Sequence, residues 1–129
     1  MMATATRPTV LIVDDEPEIR ELARIFLELD GFDVVGEASD GAQAVQRFIS
    51  LDPPPVPTVV LLDNRMPVLS GLQAAERILE HHPHQLIVMF SAFVDESVAA
   101  RAHELGIAAC VSKTEAADLP ALVRALLEP

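Results

Sequence analysis

The sequence predicts a doubly wound α/β domain, in which a parallel sheet is covered on both faces by helices. Two observations carry that prediction. Five short β-type runs alternate strictly with five patterns of helical period along the 129 residues. Right-handed crossovers between parallel strands lay each connecting helix back on the sheet, so strict alternation leads to this architecture and few others.

The first run is Val10–Val13, and the helical pattern after it spans Pro17 to Leu29. Ile19, Leu22, Ala23, Phe26 and Leu29 fall on one face at 3.6-residue spacing, the face expected to pack on the sheet. Asp15 with Glu18, ahead of Pro17, fits an N-cap with capping-box spacing. Gly31 stops the helix. The second run is Val34–Ala38, followed by a helix marked by Ala42, Val45 and Ile49 and started by Asp40 with Gln43. Asp52–Pro57 holds four prolines, which stiffen a connection rather than mark a domain boundary. The third run, Thr58–Leu62, precedes a helix marked by Leu72, Ala75 and Leu79, with Ser70 and Gln73 as its capping box. The fourth run, Leu86–Phe90, leads to Val98, Ala102 and Leu105, stopped by Gly106. The fifth, Ala108–Ser112, leads to Leu119, Leu122, Val123 and Leu126. Phe90 and Phe93 are both candidates for the core, and Cys110 reads as a small buried strand residue.

Composition excludes several functions. A length of 129 residues fits one domain, here spanning 1–129 with a core of about 9–127, and half of the residues are hydrophobic. Nine Lys+Arg against twenty Asp+Glu give a net charge of −11, which repels phosphate backbones and anionic membranes, so no direct nucleic-acid partner is expected. One cysteine makes no internal disulfide, and Met1 to Thr9 lacks the apolar segment of a secretory signal, so a cytoplasmic location is expected. No apolar run approaches the roughly 20 residues needed to span a bilayer.

In doubly wound sheets ligands bind outside the carboxyl ends of the strands. Asp14 and Asp15 follow the first strand, Asp63 the third, Ser91 the fourth and Lys113 the fifth, so all five fall on one edge. His81, His82 and His84 precede the fourth strand, at the opposite edge, and are discounted as ligands. Three gathered carboxylates repel one another unless a cation neutralises them. Hard oxygen donors without usable histidine or cysteine suit Mg²⁺. Lys113 is the single lysine against eight arginines, which singles out a compact, movable ammonium. Metal, ammonium and the Ser91 hydroxyl around one carboxylate are the groups that stabilise a phosphoryl group in transfer, with Asp63 as nucleophile.

Val13–Glu16 (VDDE), Leu61–Gly71 (LLDNRMPVLSG), Ser91–Ala92 and Ser112–Lys113 together resemble the receiver domains of bacterial two-component response regulators, CheY-like proteins of flavodoxin-like (βα)5 fold. The resemblance covers about Thr9 to Leu127 and implies strand order 2-1-3-4-5. It also implies that Asp63 accepts a phosphoryl group from a phosphohistidine on a histidine kinase or phosphotransfer protein. Asp15, Asp63 and the backbone carbonyl of Arg65 would bind Mg²⁺, with Asp14 acting through water, while Ser91 and Lys113 hold phosphate oxygens. Partner binding, by a downstream protein or a missing output domain, would use the fourth helix, fifth strand and fifth helix, a surface containing Glu96, Arg101, Ala109 and Leu122. No output domain is expected within this chain, and no enzymatic activity beyond its own phosphorylation and dephosphorylation.

Three positions depart from the family pattern. Thr114 stands where proline usually follows the lysine, and a trans bond is expected there because a non-proline cis bond costs about 2.5–4 kcal/mol. Cys110 replaces the usual aromatic switch residue. Arg65 is bulky and charged where the family controls water access, so it is expected to modulate autodephosphorylation. Two rival readings differ in class. A haloacid-dehalogenase-type phosphohydrolase would place a D-x-D nucleophile after the first strand, whereas Pro17 stands two residues after Asp15. A phosphorylation-independent interaction module would keep the fold and signal by binding alone.

Overall fold

The computed structural model describes residues 7–51, 57–92 and 94–128. Strands β1 (Thr9–Val13), β2 (Asp33–Ala38), β3 (Val59–Leu62), β4 (Leu86–Ser91) and β5 (Ala109–Ser112) form one parallel sheet in order β2-β1-β3-β4-β5. Helices α1 (Pro17–Leu29), α2 (Gly41–Ser50), α3 (Gly71–His81), α4 (Glu96–Leu105) and α5 (Leu119–Leu127) connect or follow them, with a 3₁₀ segment, Lys113–Asp118, between β5 and α5. Both the expected fold class and the expected strand order are present.

The period of two along each central strand divides the core between the faces. Leu11, Val13, Val60, Leu62, Ile87 and Met89 meet Ala44 and Phe48 of α2, Ala74, Ala75 and Ile78 of α3, and Ala102 of α4. Their neighbours Val10, Ile12, Val59, Leu61, Val88 and Phe90 meet Ala23 and Leu27 of α1 and Leu119 and Val123 of α5. Each such side chain contributes about 1.5–3 kcal/mol when fully buried, so the three inner strands anchor both layers at once. β2 carries one extra residue: Val10 pairs with Val34 but Leu11 with Gly36, leaving Val35 as a bulge.

Several local expectations need correction. The α1 face is turned, with Ala23 and Leu27 buried while Leu22 and Leu29 are exposed, Leu29 at 80%. In α2 the buried residues are Ala44 and Phe48, and Ile49 is exposed. Periodicity marks an apolar stripe, but the large side chains of Phe48 and Leu27 decide which part of it meets the sheet. The N-cap of α1 is Glu16, without a side-chain cap bond, because Asp14 rather than Asp15 turns its carboxylate onto the chain there. Ser70 and Gln73 do form a full capping box. Asp40 accepts from the Gln43 N–H, but the Gln43 side chain accepts from Ser39 instead of closing the box. Cys110 is exposed, since Val111 alone in β5 is buried. Phe90 lies in the core, whereas Phe93 and residues 52–56 of the proline-rich loop lie outside the described residues. No helix among the described residues is long and apolar enough to cross a membrane.

Candidate functional site

The carboxyl ends of β1, β3, β4 and β5 deliver the site, and backbone bonds continuing past the strands fix its floor. Asp14 N–H donates to the Ala38 carbonyl at 3.1 Å and Asp63 N–H to the Val13 carbonyl at 2.9 Å, so each aspartate extends the sheet by one residue. Their side chains are thereby held in the protein rather than in water, with Asp14 at 2% and Asp63 at 4% exposure. Such burial of a charge is tolerated only with partners. Lys113 Nζ lies 2.7 Å from Asp14 Oδ2, 3.3 Å from Glu16 Oε1 and 3.4 Å from Asp63 Oδ2. Ser91 Oγ donates to Asp63 Oδ1 at 3.0 Å. Asp14 Oδ1 accepts from the Glu16 N–H at 2.9 Å, while Oδ2 meets the ammonium as an ion pair without the angles of a directed hydrogen bond.

All three pKa values are raised, which disfavours the charged form of the carboxylates and favours that of the ammonium. Burial pushes the Asp63 carboxyl above the ordinary aspartate range, against the pull of Lys113 and Ser91. Burial likewise raises Asp14, with Lys113 and the Glu16 N–H opposing it and Asp63 adding repulsion. For Lys113 burial alone would lower the pKa, but its pairs with Asp14, Asp63 and Glu16 outweigh it and hold the ammonium above its ordinary value.

Above this floor an opening of about 190 Å³ is lined by Asp15, Glu16, Asp63, Arg65, Ser91 and Lys113. Asp14 is buried and paired with the ammonium, and does not line the opening. Carboxylate oxygens of Asp14, Asp15 and Glu16 lie within 4.8 Å of one another, a donor cluster of hard oxygens. Thus the six residues expected at the site are gathered at one edge. Glu16 was not among them; it stands beside Asp15 in the VDDE stretch, but its contact with Lys113 spans 97 residues and is invisible in local pattern. The histidines lie elsewhere: His82 packs edge-on against Phe48, and His82 and His84 border a recess with Gln85 and Leu126 at the other edge.

The loop from Asp63 to α3 is locked by close packing. Gly71 N–H donates to the Asn64 carbonyl at 2.9 Å, and a Cβ on Gly71 would sit 2.2 Å from the Asp63 carbonyl oxygen. Gly41 at the start of α2 abuts the Leu69 backbone just as closely. Between these clamps Val68 adopts φ +69, a left-handed conformation that is strained for a β-branched residue. On the expected partner surface Glu96 is exposed, Arg101 pairs with Glu76 at 3.0 Å, and Leu122 packs partly into the core.

Residues 10–125 match the family model of the response regulator receiver domain. A protein-glutamate methylesterase/protein-glutamine glutaminase of Hahella chejuensis is 40% identical over 84 residues, 65% of this chain and 23% of that protein. The response regulator GacA of Pseudomonas viridiflava is 31% identical over 118 residues, 91% of this chain and 52% of that one. The chain therefore spans between about a quarter and a half of the length of these relatives. The isolated receiver domain of RcsB from Salmonella enterica serovar Typhimurium superposes with a TM-score of 0.82 at 26% identity, covering 95% of this chain and 89% of that one. With the fold, the sheet-edge aspartates and the family match in agreement, this chain belongs to the receiver domains of two-component response regulators.

Proposed function

We infer that the domain accepts a phosphoryl group on Asp63, from the phosphohistidine of a histidine kinase or phosphotransfer protein, with Mg²⁺, and changes its partner binding in response. One observation carries this reading. Of the two buried carboxylates among the described residues, only Asp63 also lines the opening, and its two oxygens already face a hydroxyl and an ammonium.

The residues present fit Mg²⁺: the carboxylates of Asp14, Asp15 and Glu16 cluster at the site, Asp15 and Asp63 both line the opening, and all of these donors are hard oxygens. Asp15, Asp63 and the Arg65 carbonyl would hold the ion, with Asp14 acting through water. Bound there, it supplies positive charge against the carboxylates and the phosphoryl oxygens. An Asp63 oxygen forms the new P–O bond as the P–N bond of the donor breaks and its electron pair returns to the imidazole. Ser91 Oγ–H, which donates to Asp63 Oδ1, would turn to a phosphoryl oxygen. The Lys113 ammonium, shared among three carboxylates beforehand, is placed to follow the added negative charge. That movement favours one arrangement of the loops after β4 and β5 and so alters the surface of α4, β5 and α5, where a downstream protein or an output domain would dock. The RcsB receiver, studied in the presence of the phosphomimetic BeF₃⁻, supports this chemistry by kinship. The enzymatic role extends no further than the domain's own phosphorylation and dephosphorylation, and the chain is proposed to be one receiver domain acting in the cytoplasm.

Incubation with Mg²⁺ and a small acyl-phosphate donor, followed by intact-mass measurement, tests the proposal. A single phosphoryl adduct on wild type and none on Asp63→Asn is expected. No adduct on either protein refutes it and favours a module that signals by binding alone.

A further inference from the structure

The turn that carries Asp14 and Asp15 is held from outside the site. Arg20 of α1 donates from Nη1 to the Asp14 backbone carbonyl at 2.7 Å and from Nε to Glu37 Oε1 of β2 at 3.0 Å. Its side chain is largely covered, at 19% exposure. Glu37 also pairs with Arg24, and these contacts hold the Glu37 carboxyl below its ordinary range. Glu37 directly precedes Ala38, whose carbonyl accepts the Asp14 N–H. The Arg20 guanidinium thus bridges β2 to the first peptide beyond β1, using its planar fork to serve two acceptors in fixed directions, which a lysine ammonium on a flexible stem does not reproduce. Because that peptide is planar, a fixed Asp14 carbonyl also fixes the Asp15 N–H and the position of the Asp15 Cα, from which the side chain reaches the lining of the opening.

We propose that Arg20 is a positioning residue of the acidic site, locking the Asp14–Asp15 peptide so that the Asp15 carboxylate is aimed at the opening above Asp63. The inference rests on the Mg²⁺ reading given above. Arg24 supplies the control, since it shares Glu37 with Arg20 and has no bond to Asp14 among its described contacts.

Two measurements on wild type, Arg20→Gln, Arg20→Lys and Arg24→Gln test it: Mg²⁺ affinity by calorimetry, and amide hydrogen exchange by NMR without metal. Arg20→Gln is expected to raise the Mg²⁺ Kd on the order of 10-fold, as loss of a partner behind a metal ligand does, while Arg24→Gln stays within about twofold. Exchange at the Asp14 and Glu16 amides should accelerate in Arg20→Gln and not in Arg24→Gln, with Arg20→Lys recovering little of either effect. If Arg20→Gln does not fold, Arg20→Lys is read against wild type in both measurements. Equal Kd values, or equal exchange at those amides, in the Arg20 and Arg24 variants overturn the inference alone. A wild type that binds no Mg²⁺ overturns the metal reading and this inference with it.

Discussion

Gly71→Ala opposes two effects of known size at the base of the site. Alanine favours a helix interior over glycine by about 1 kcal/mol, and Gly71 opens α3. Against this, the new Cβ would lie 2.2 Å from the Asp63 carbonyl oxygen, 2.8 Å from Asn64 Cα and 2.9 Å from the Asp63 carbonyl carbon. All three are backbone atoms, so no rotamer change relieves the overlap. Reaching an ordinary 3.4 Å contact requires the loop and helix to part by about 1 Å. Such overpacking costs about 1–3 kcal/mol. The separation also strains the Gly71–Asn64 hydrogen bond, worth about 0.5–1.5 kcal/mol net. The steric terms win, and Gly71→Ala is expected to be less stable by about 1–3 kcal/mol. Urea unfolding followed by circular dichroism should show a lower midpoint at unchanged slope. Since the displaced backbone is that of Asp63, phosphoryl uptake from an acyl-phosphate donor should slow on the order of 10²-fold, as a misplacement of about 1 Å commonly causes. Gly36→Ala is a milder control, because its nearest contact is the flexible end of the Leu11 side chain at 3.1 Å. A Gly71→Ala protein as stable as wild type would refute the reasoning, since helix propensity would then outweigh the contact.

Other perturbations probe the charges and the loop. Val68→Gly removes a left-handed conformation that costs about 1–2 kcal/mol at a residue 77% exposed, and after the entropy cost of glycine a net gain of about 1 kcal/mol is expected in urea unfolding; no gain would end the strain argument. Lys113→Met leaves Asp14 and Asp63 buried without their ammonium and should cost about 3 kcal/mol, the low end for a broken buried pair because the carboxylates can take up a proton; an unchanged midpoint at pH 7 would count against the ion-pair geometry. Asp63 holds its proton more tightly folded than unfolded, so its contribution to stability is full below the ordinary aspartate pKa of about 3.9 and is lost as pH rises through the raised folded value. Asp63→Asn should therefore be more stable than wild type at pH 7 in metal-free buffer, with the difference closing toward pH 4; a difference independent of pH would contradict burial as the cause. Arg65→Ala is expected to change the phosphoryl half-life by opening the approach to Asp63, and identical decay would end that proposal.

What the chain determined alone was everything carried by local period and by position along it. Strand runs of period two, helical runs of period 3.6 and their strict alternation specify a doubly wound sheet. Polar residues placed just after four of the strands then fall at one edge whatever the packing details, which is why Asp14, Asp15, Asp63, Ser91 and Lys113 were legible together. Packing decided the rest. An amphipathic stripe sets a helix face only to within a residue or two, so the turned faces of α1 and α2 followed from the volumes of Phe48 and Leu27 against the sheet. Exposure of Cys110 followed from its place on the edge strand. The sharing of Lys113 among Asp14, Glu16 and Asp63, the hold of Arg20 on the Asp14 carbonyl and the contact of Gly71 with Asp63 join atoms from different elements. Such contacts depend on distances of a few tenths of an ångström across the folded chain, and no short-range pattern of residue types encodes them.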